Sequence, residues 1–193
     1  MQVALIKYNA GNIQSVSYAL ERLGIDFEVT SEAEKILKAD KVIFPGVGEA
    51  SSTMQYLKAN QLDRIIVSLK QPLLGICLGM QLMCTHSEEN DTPCLGIFPE
   101  TVKRFIPNTE EKVPHMGWNT LQQCRGFASG LDGQYVYFVH SYYVPVNVYT
   151  VATTHYALPF SAAMQKDNFY AVQFHPEKSA EAGEKMLRSF LDL

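Results

Sequence analysis

Nothing in this 193-residue sequence approaches the roughly 18 consecutive apolar residues that a membrane-spanning helix needs. The opening apolar stretch, Met1-Gln2-Val3-Ala4-Leu5-Ile6, is too short for a signal-peptide core and is interrupted at once by Lys7. Runs of lysine and arginine are missing too. Sixteen basic residues stand against 20 acidic ones for a net charge of -4, with a pI near 5.7, whereas a protein that binds nucleic acid by neutralising phosphates carries a basic patch or stripe. The four cysteines, Cys77, Cys84, Cys94 and Cys124, include no Cys-x-x-Cys pair, so neither a zinc site nor a disulfide framework is favoured. There is no Gly-x-x-x-x-Gly-Lys-Ser/Thr loop to cradle a nucleotide phosphate. No repeat, low-complexity tract or linker interrupts the chain. These absences predict a soluble, cytoplasmic protein that binds no metal, membrane or nucleic acid.

What is present suits one globular domain over residues 1–193, with 47% hydrophobic and 19% charged residues. The first half alternates short apolar runs of β character with amphipathic stretches, the pattern of a parallel sheet covered by helices. Val3 to Ile6 reads as a strand, and Ile13, Val16, Leu20 and Leu23 recur at helical spacing until Gly24. Phe27 to Thr30 and Lys41 to Phe44 read as further strands, with Ser31-Glu32-Ala33-Glu34 between them as a capping-box signature. Glu49 to Leu69 reads as one long helical segment, and Pro72 to Ile76 as a buried central strand. The second half is rich in Tyr, Phe, Val and Thr around Cys94 to Ile106, Gln134 to Val144, Tyr149 to Tyr156 and Phe169 to Phe174. That composition predicts antiparallel or mixed strands before a last helix from about Ser179. The expected fold class is α/β, a mainly parallel sheet flanked by helices with an added antiparallel β-layer.

Two motifs carry chemistry. Gly75-Ile76-Cys77-Leu78-Gly79 follows the buried strand and precedes a helix-like segment, which is the spacing of a nucleophile elbow with cysteine in place of serine. Small residues on both sides permit the sharp turn, a helix amino terminus favours thiolate, and the Leu78 N–H is placed to donate to an oxyanion. Most lone cysteines are buried packing residues, so the pentapeptide by itself leaves both readings open. The second motif is His175-Pro176-Glu177 at the end of the apolar strand from Phe169 to Phe174. Residues two apart in extended chain project to one side, and Pro176 biases His175 towards extended geometry, so the carboxylate can orient the imidazole. Alone it could be a surface strand end. Together with a cysteine elbow at another strand's carboxyl end it makes a triad, Cys77, His175 and Glu177.

This pair of motifs resembles the class I, triad-type glutamine amidotransferases, and Pro45-Gly46-Val47-Gly48 resembles their oxyanion strand. Within that class, Tyr8-Asn9-Ala10-Gly11-Asn12, Pro114-His115-Met116-Gly117-Trp118-Asn119, His140-Ser141-Tyr142 and His175-Pro176-Glu177-Lys178-Ser179 are similar to the glutaminase subunits of imidazole glycerol phosphate synthases. Lys7-Tyr8-Asn9 departs from the family, which more often has an acidic residue before the tyrosine and a glycine after it. The resemblance implies a flavodoxin-like fold and hydrolysis of glutamine to glutamate and ammonia without a cofactor. It also implies a heterodimer with a (β/α)8-barrel cyclase subunit that uses the ammonia to make imidazole glycerol phosphate and aminoimidazole carboxamide ribonucleotide in histidine biosynthesis. Gly46, Val47 and Leu78 would then supply backbone to the oxyanion site, and Gln81, Ser141 and Tyr142 would hold glutamine. Asn12, Met116, Trp118 and Lys178 would face the partner, with Trp118 as a buried anchor. Other amidotransferase subunits share the triad but are not expected to share His115-Met116-Gly117-Trp118-Asn119. A cysteine peptidase on a similar fold is not expected to place its base in a His-Pro-Glu of this kind.

The remaining candidates read as structural. Cys84 is expected in the core, His140 and His155 in strands without a neighbouring carboxylate, and His86 in a solvated acidic loop running to Asp91. The aromatic stripe of Tyr135, Tyr137, Phe138, Tyr142 and Tyr143 is expected chiefly in strand packing.

Overall fold

The computed structural model describes residues 1–8, 12–107 and 111–193; Asn9, Ala10 and Gly11 of the first turn lie outside the described residues. Its strands are β1 (Val3–Ile6), β2 (Phe27–Thr30), β3 (Lys41–Phe44), β4 (Leu73–Ile76), β5 (Cys84–Ser87), β6 (Thr92–Pro93), β7 (Phe98–Arg104), β8 (His115–Thr120), β9 (Tyr135–His140), β10 (Tyr142–Tyr143), β11 (Thr150–Tyr156), β12 (Leu158–Lys166) and β13 (Phe169–Val172). The helices are α1 (Ile13–Arg22), α2 (Ala33–Lys38), α3 (Ala50–Ala59), α4 (Leu62–Ser68), α5 (Leu78–Leu82) and α6 (Ala180–Leu191).

A seven-stranded sheet in the order β11-β12-β13-β4-β3-β1-β2 forms the centre. From β2 to β13 its strands run parallel, and β12 and β11 continue it antiparallel. Strand β1 shows why the parallel part reads as unbroken apolar sequence. Val3 and Leu5 point into one core cluster with Val16 and Leu20 of α1 and Met186 and Phe190 of α6. Ala4 and Ile6 point into a second with Ile36 of α2, Leu57 of α3 and Ile66 of α4. A strand covered by helices on both faces has no polar side to show, and each fully buried Leu, Ile or Phe contributes about 1.5–3 kcal/mol. Two smaller sheets are added: β10-β7-β5-β6, in which only β5 and β7 run parallel, and the antiparallel pair β8-β9. The expected fold class is borne out.

Several local expectations need correction. The capping box does not form at Ser31: α2 starts after Glu32, and no side chain caps its first turn. The Glu32 N–H is met instead by the Thr30 hydroxyl at 3.0 Å. The long helical segment breaks in two at Asn60-Gln61, where Gln61 takes a left-handed φ of 57°. Strands β8 and β12 carry weak β signals. In β12, Pro159 sits near the start and Ser161, Ala162 and Ala163 fill the middle, yet the strand is internal to the main sheet because its small side chains are fully buried there.

Candidate active site

Because β1, β3, β4 and β13 run parallel, their carboxyl ends bring Asn12, Pro45 to Gly48, Cys77 and His175 to one edge of the sheet, where open α/β sheets place ligands. Cys77 lies between β4 and α5 with φ 52° and ψ -110°, a conformation an L-residue holds only under constraint. The elbow needs its glycines. A Cβ on Gly79 would lie 2.1 Å from the Phe44 carbonyl oxygen, and one on Gly75 would lie 2.4 Å from the Met83 sulfur. The turn is fixed by Cys77 N–H donating to the Val172 carbonyl at 2.8 Å. Helix α5 is only five residues long, so the helix-dipole support expected from the sequence is slight, and the nearby positive group is His175.

His175 is buried to 1% exposure and has extended backbone, φ -98° and ψ 94°, as a residue before proline should. Its Nδ1 lies 2.7 Å from Glu177 Oε1. A carboxylate only accepts, so Nδ1 carries the proton. Glu177 does not reach the ring along extended chain as the sequence suggested. Pro176–Lys178 forms a 3₁₀ turn that folds the carboxylate back. The turn is tied by the Ser179 hydroxyl donating to the His175 carbonyl at 2.7 Å and accepting from Tyr137 N–H at 2.9 Å. His175 Nε2 is buried and has no hydrogen-bond partner, which leaves it available for proton exchange. Burial disfavours the imidazolium, but the neighbouring Cys77 and the Glu177 carboxylate outweigh it and raise the His175 pKa to about 10. Asn12, expected on a docking face, turns its side-chain amide inwards and donates to Glu177 Oε1.

A pocket of about 310 Å³ opens in front of the sulfur, lined among others by Val47, Leu78, Gln81, Glu89, Ser141 and Tyr142. Gln81 is buried, and its amide donates to the Tyr142 carbonyl and to Gln173 Oε1, each at 3.0 Å. Both its N–H groups are thus taken, and its oxygen remains for a ligand. The Leu78 N–H is not empty: it donates to the Gly46 carbonyl at 3.3 Å. Tyr8 holds the start of the same loop, its hydroxyl donating to the Pro45 carbonyl at 2.6 Å.

Sequence reasoning missed Gln173 and Glu89. Gln173 is fully buried with its amide 3.7 Å from the Cys77 sulfur; a lone polar residue inside the apolar run Phe169 to Phe174 was the signal available. Glu89 belongs to the loop read as solvated surface, but its carboxylate accepts from Ala50 N–H at 2.7 Å and borders the pocket. Partial burial raises its pKa. Of the other expectations, Cys84 is buried as expected, and His86 pairs with Asp91 at 3.0 Å. Met116 and Trp118 are 63% and 52% exposed on the outer face of β8, so Trp118 is not a buried anchor in the free chain. Lys178 is exposed with its ammonium over the Tyr137 ring, and Trp118 meets that ring from its edge at 6.0 Å.

Residues 4–193 match the family described as Glutamine amidotransferase class-I. The chain belongs to the class I glutamine amidotransferase family. Full-length relatives agree. The chain is 61% identical over 196 residues to the imidazole glycerol phosphate synthase subunit HisH of Bacteroides fragilis (strain YCH46), covering 100% of both sequences. It is 47% identical over 194 residues to imidazole glycerol phosphate synthase subunit HisH 2 of Legionella pneumophila (strain Paris), covering 99% of this chain and 98% of that one. A crystal structure of a glutamine amidotransferase superposes with a TM-score of 0.76 at 18% identity, over 98% of this chain and 97% of the other. That likeness speaks for the amidotransferase fold alone.

Proposed function

We propose that residues 1–193 form one amidotransferase domain that serves as the glutaminase subunit of an imidazole glycerol phosphate synthase. Cys77, His175 and Glu177 are its triad. The observation that carries the reading is the His175 ring itself: buried, oriented through Nδ1 by Glu177, with Nε2 unpartnered beside the elbow cysteine. The 61% identity to a HisH subunit over the full length supports the assignment within the family.

Glutamine enters the pocket with its side-chain amide towards Cys77. The glutamine α-ammonium finds acceptors in Gln81 Oε1 and the Glu89 carboxylate, and its carboxylate finds backbone at Ser141 and Tyr142. The Cys77 thiolate attacks the amide carbon, and His175 Nε2–H gives its proton to the departing ammonia, leaving a thioester. Water, deprotonated by His175, then releases glutamate. The tetrahedral oxyanion needs donors from Leu78 and Val47. With the Gly46 carbonyl seated on the Leu78 N–H, that site is self-occupied, and turning the Gly46-Val47 peptide would free one donor and add another. The partner is a (β/α)8-barrel cyclase, which joins the ammonia to a phosphoribulosyl-formimino aminoimidazole carboxamide ribonucleotide. Met116, Trp118 and Lys178 beside the triad edge form the docking face, with Asn12 linking that edge to Glu177. The setting is the cytoplasm.

The test is a glutaminase assay of the chain alone, with the cyclase barrel, and with barrel plus nucleotide ligand. One oxyanion donor is worth about 10²–10³ in rate, so the full assembly should exceed the free chain by at least that order. Cys77→Ala should lose about 10⁴-fold or more of glutamine-dependent turnover while added ammonia still sustains product formation. Near-normal glutamine use by Cys77→Ala would overturn the triad. Stimulation by a chorismate-using enzyme and not by the cyclase would reassign the partner.

A further inference from the structure

Behind the pocket wall lies a chain of hydrogen bonds that the reaction above does not use. His140 Nδ1 is 2.7 Å from the Tyr142 carbonyl, and its Nε2 is 2.9 Å from His115 Nδ1. His115 Nε2 in turn is 3.4 Å from the side-chain amide nitrogen of Asn119. Every proton in this chain has one possible place. A carbonyl only accepts, so His140 Nδ1 donates; a neutral imidazole has one N–H, so His140 Nε2 accepts from His115 Nδ1–H. His115 Nε2 then accepts from Asn119, whose amide is fixed in that sense because its oxygen accepts from Thr120 N–H at 2.8 Å.

Both rings are buried and packed face or edge against aromatics. His115 stacks on Tyr156 at 4.0 Å, and His140 meets Phe160 at 5.1 Å. A second proton on either imidazole would set two N–H groups against each other or against the Asn119 amide. Burial holds both neutral: it pulls the His115 pKa down to about 4 and the His140 pKa down to about 3.

The Tyr142 carbonyl at the inner end accepts from Gln81 as well as from His140, so its two lone pairs are both engaged. One residue back, the Ser141 carbonyl accepts from Phe105 N–H at 3.0 Å. The C=O and N–H of a trans peptide point opposite ways, so Tyr142 N–H is directed away from Phe105. At the outer end, His115 and Asn119 occupy the inward face of β8, whose outward face carries Met116 and Trp118.

We propose that His115 and His140 are a positioning pair for glutamine binding, fixing the Tyr142 carbonyl and with it Gln81 and the Ser141-Tyr142 pocket wall in register with β8. The proposal rests on the reading of this pocket as the glutamine site. Without the His115 donor, His140 Nε2 is a buried acceptor with no partner and its ring is free to turn off Tyr142. Gln81 then donates to a carbonyl held from one side only, and the aim of its oxygen at the ligand loosens.

The experiment is glutamine kinetics of the chain in complex with its synthase partner, for wild type, His115→Leu and His115→Gln. An unpaired buried acceptor costs about 1–3 kcal/mol, roughly 5- to 150-fold in an equilibrium. His115→Leu should therefore raise KM for glutamine by about that factor with kcat changed less than about threefold. His115→Gln, which can donate to His140 and accept from Asn119, should return KM close to wild type. A merely structural role would instead lower the active fraction, reducing kcat at constant KM in both variants, and that result overturns the proposal, as does a KM within about twofold of wild type in His115→Leu. Nitrogen-15 NMR of the wild-type imidazoles is the second measurement, usable even where His115→Leu fails to fold. It should find the proton on Nδ1 of both rings, and a proton on Nε2 of either rejects the pair. A wild-type complex with no glutamine turnover would sink the glutaminase reading, and the tautomers would still decide the pair.

Discussion

His175 carries opposing influences on a single ring. Burial opposes its charge, while Cys77 and Glu177 favour it, and the favourable side wins with a pKa raised to about 10. A histidine raised above its unfolded value of about 6.5 contributes stability that is fully present below that pH and is lost as pH rises through about 10. The ring should accordingly keep its proton at neutral pH, so that an alkaline fall in glutamine hydrolysis that reports this group should centre near pH 10 and not near 7. Imidazole NMR titration of the free chain checks this. Cys77→Ala removes the larger of the two favourable neighbours, so the midpoint should drop by about 1–3 pH units, the usual effect of one opposite charge. An unchanged midpoint would mean that Cys77 does not act on the ring.

At the scale of elements, the elbow and the loop after β3 are packed backbone to backbone. The Phe44 carbonyl sits where a side chain on Gly79 would be, and a Cβ on Gly46 would lie 2.5 Å from the Gly79 nitrogen. Gly79→Ala must push β3 from α5. Forced overpacking costs about 1–3 kcal/mol, and at about 2–4 °C per kcal/mol for a chain of this size Tm should fall by roughly 2–12 °C. A calorimetric Tm equal to wild type would show that the contact yields freely. These close approaches also explain which elements were legible beforehand. Strands β1 and β4, and β3 after Lys41, are buried on both faces and so run apolar, and the elbow announces itself through glycines at fixed offsets. The 3₁₀ turn at Pro176–Lys178 and strand β12 are set by tertiary contacts, the bond from Tyr137 N–H to Ser179 and a slot for small side chains between two neighbouring strands, and the break at Gln61 is a left-handed backbone conformation at a residue other than glycine. In the site, the proposed triad could be read from two short motifs. Gln173, Glu89 and the inward turn of Asn12 could not, because each depends on which distant segment comes to meet it.

On the whole molecule, the triad edge and the exposed aromatics of β8 are neighbours: Lys178 lies over Tyr137, Tyr137 meets Trp118, and the Tyr137 carbonyl accepts from His175 N–H at 2.9 Å. A half-exposed tryptophan in such a patch is the kind of residue that dominates association. Trp118→Ala should weaken binding to the proposed cyclase partner by about 2 kcal/mol or more, roughly 30-fold, while leaving the Tm of the isolated chain nearly unchanged; calorimetric binding and melting measurements separate the two. Undiminished affinity would take Trp118 out of the interface. The oxyanion site proposed above, self-occupied in the free chain, bears on how a cell can make such a protein. Copies produced in excess of their partner keep the Gly46 carbonyl on the Leu78 N–H and so would turn over little glutamine. On that proposal, synthesis of the two subunits need not be matched closely, because a surplus of this chain would be chemically quiet and would not drain the cell's pool of a shared amino acid.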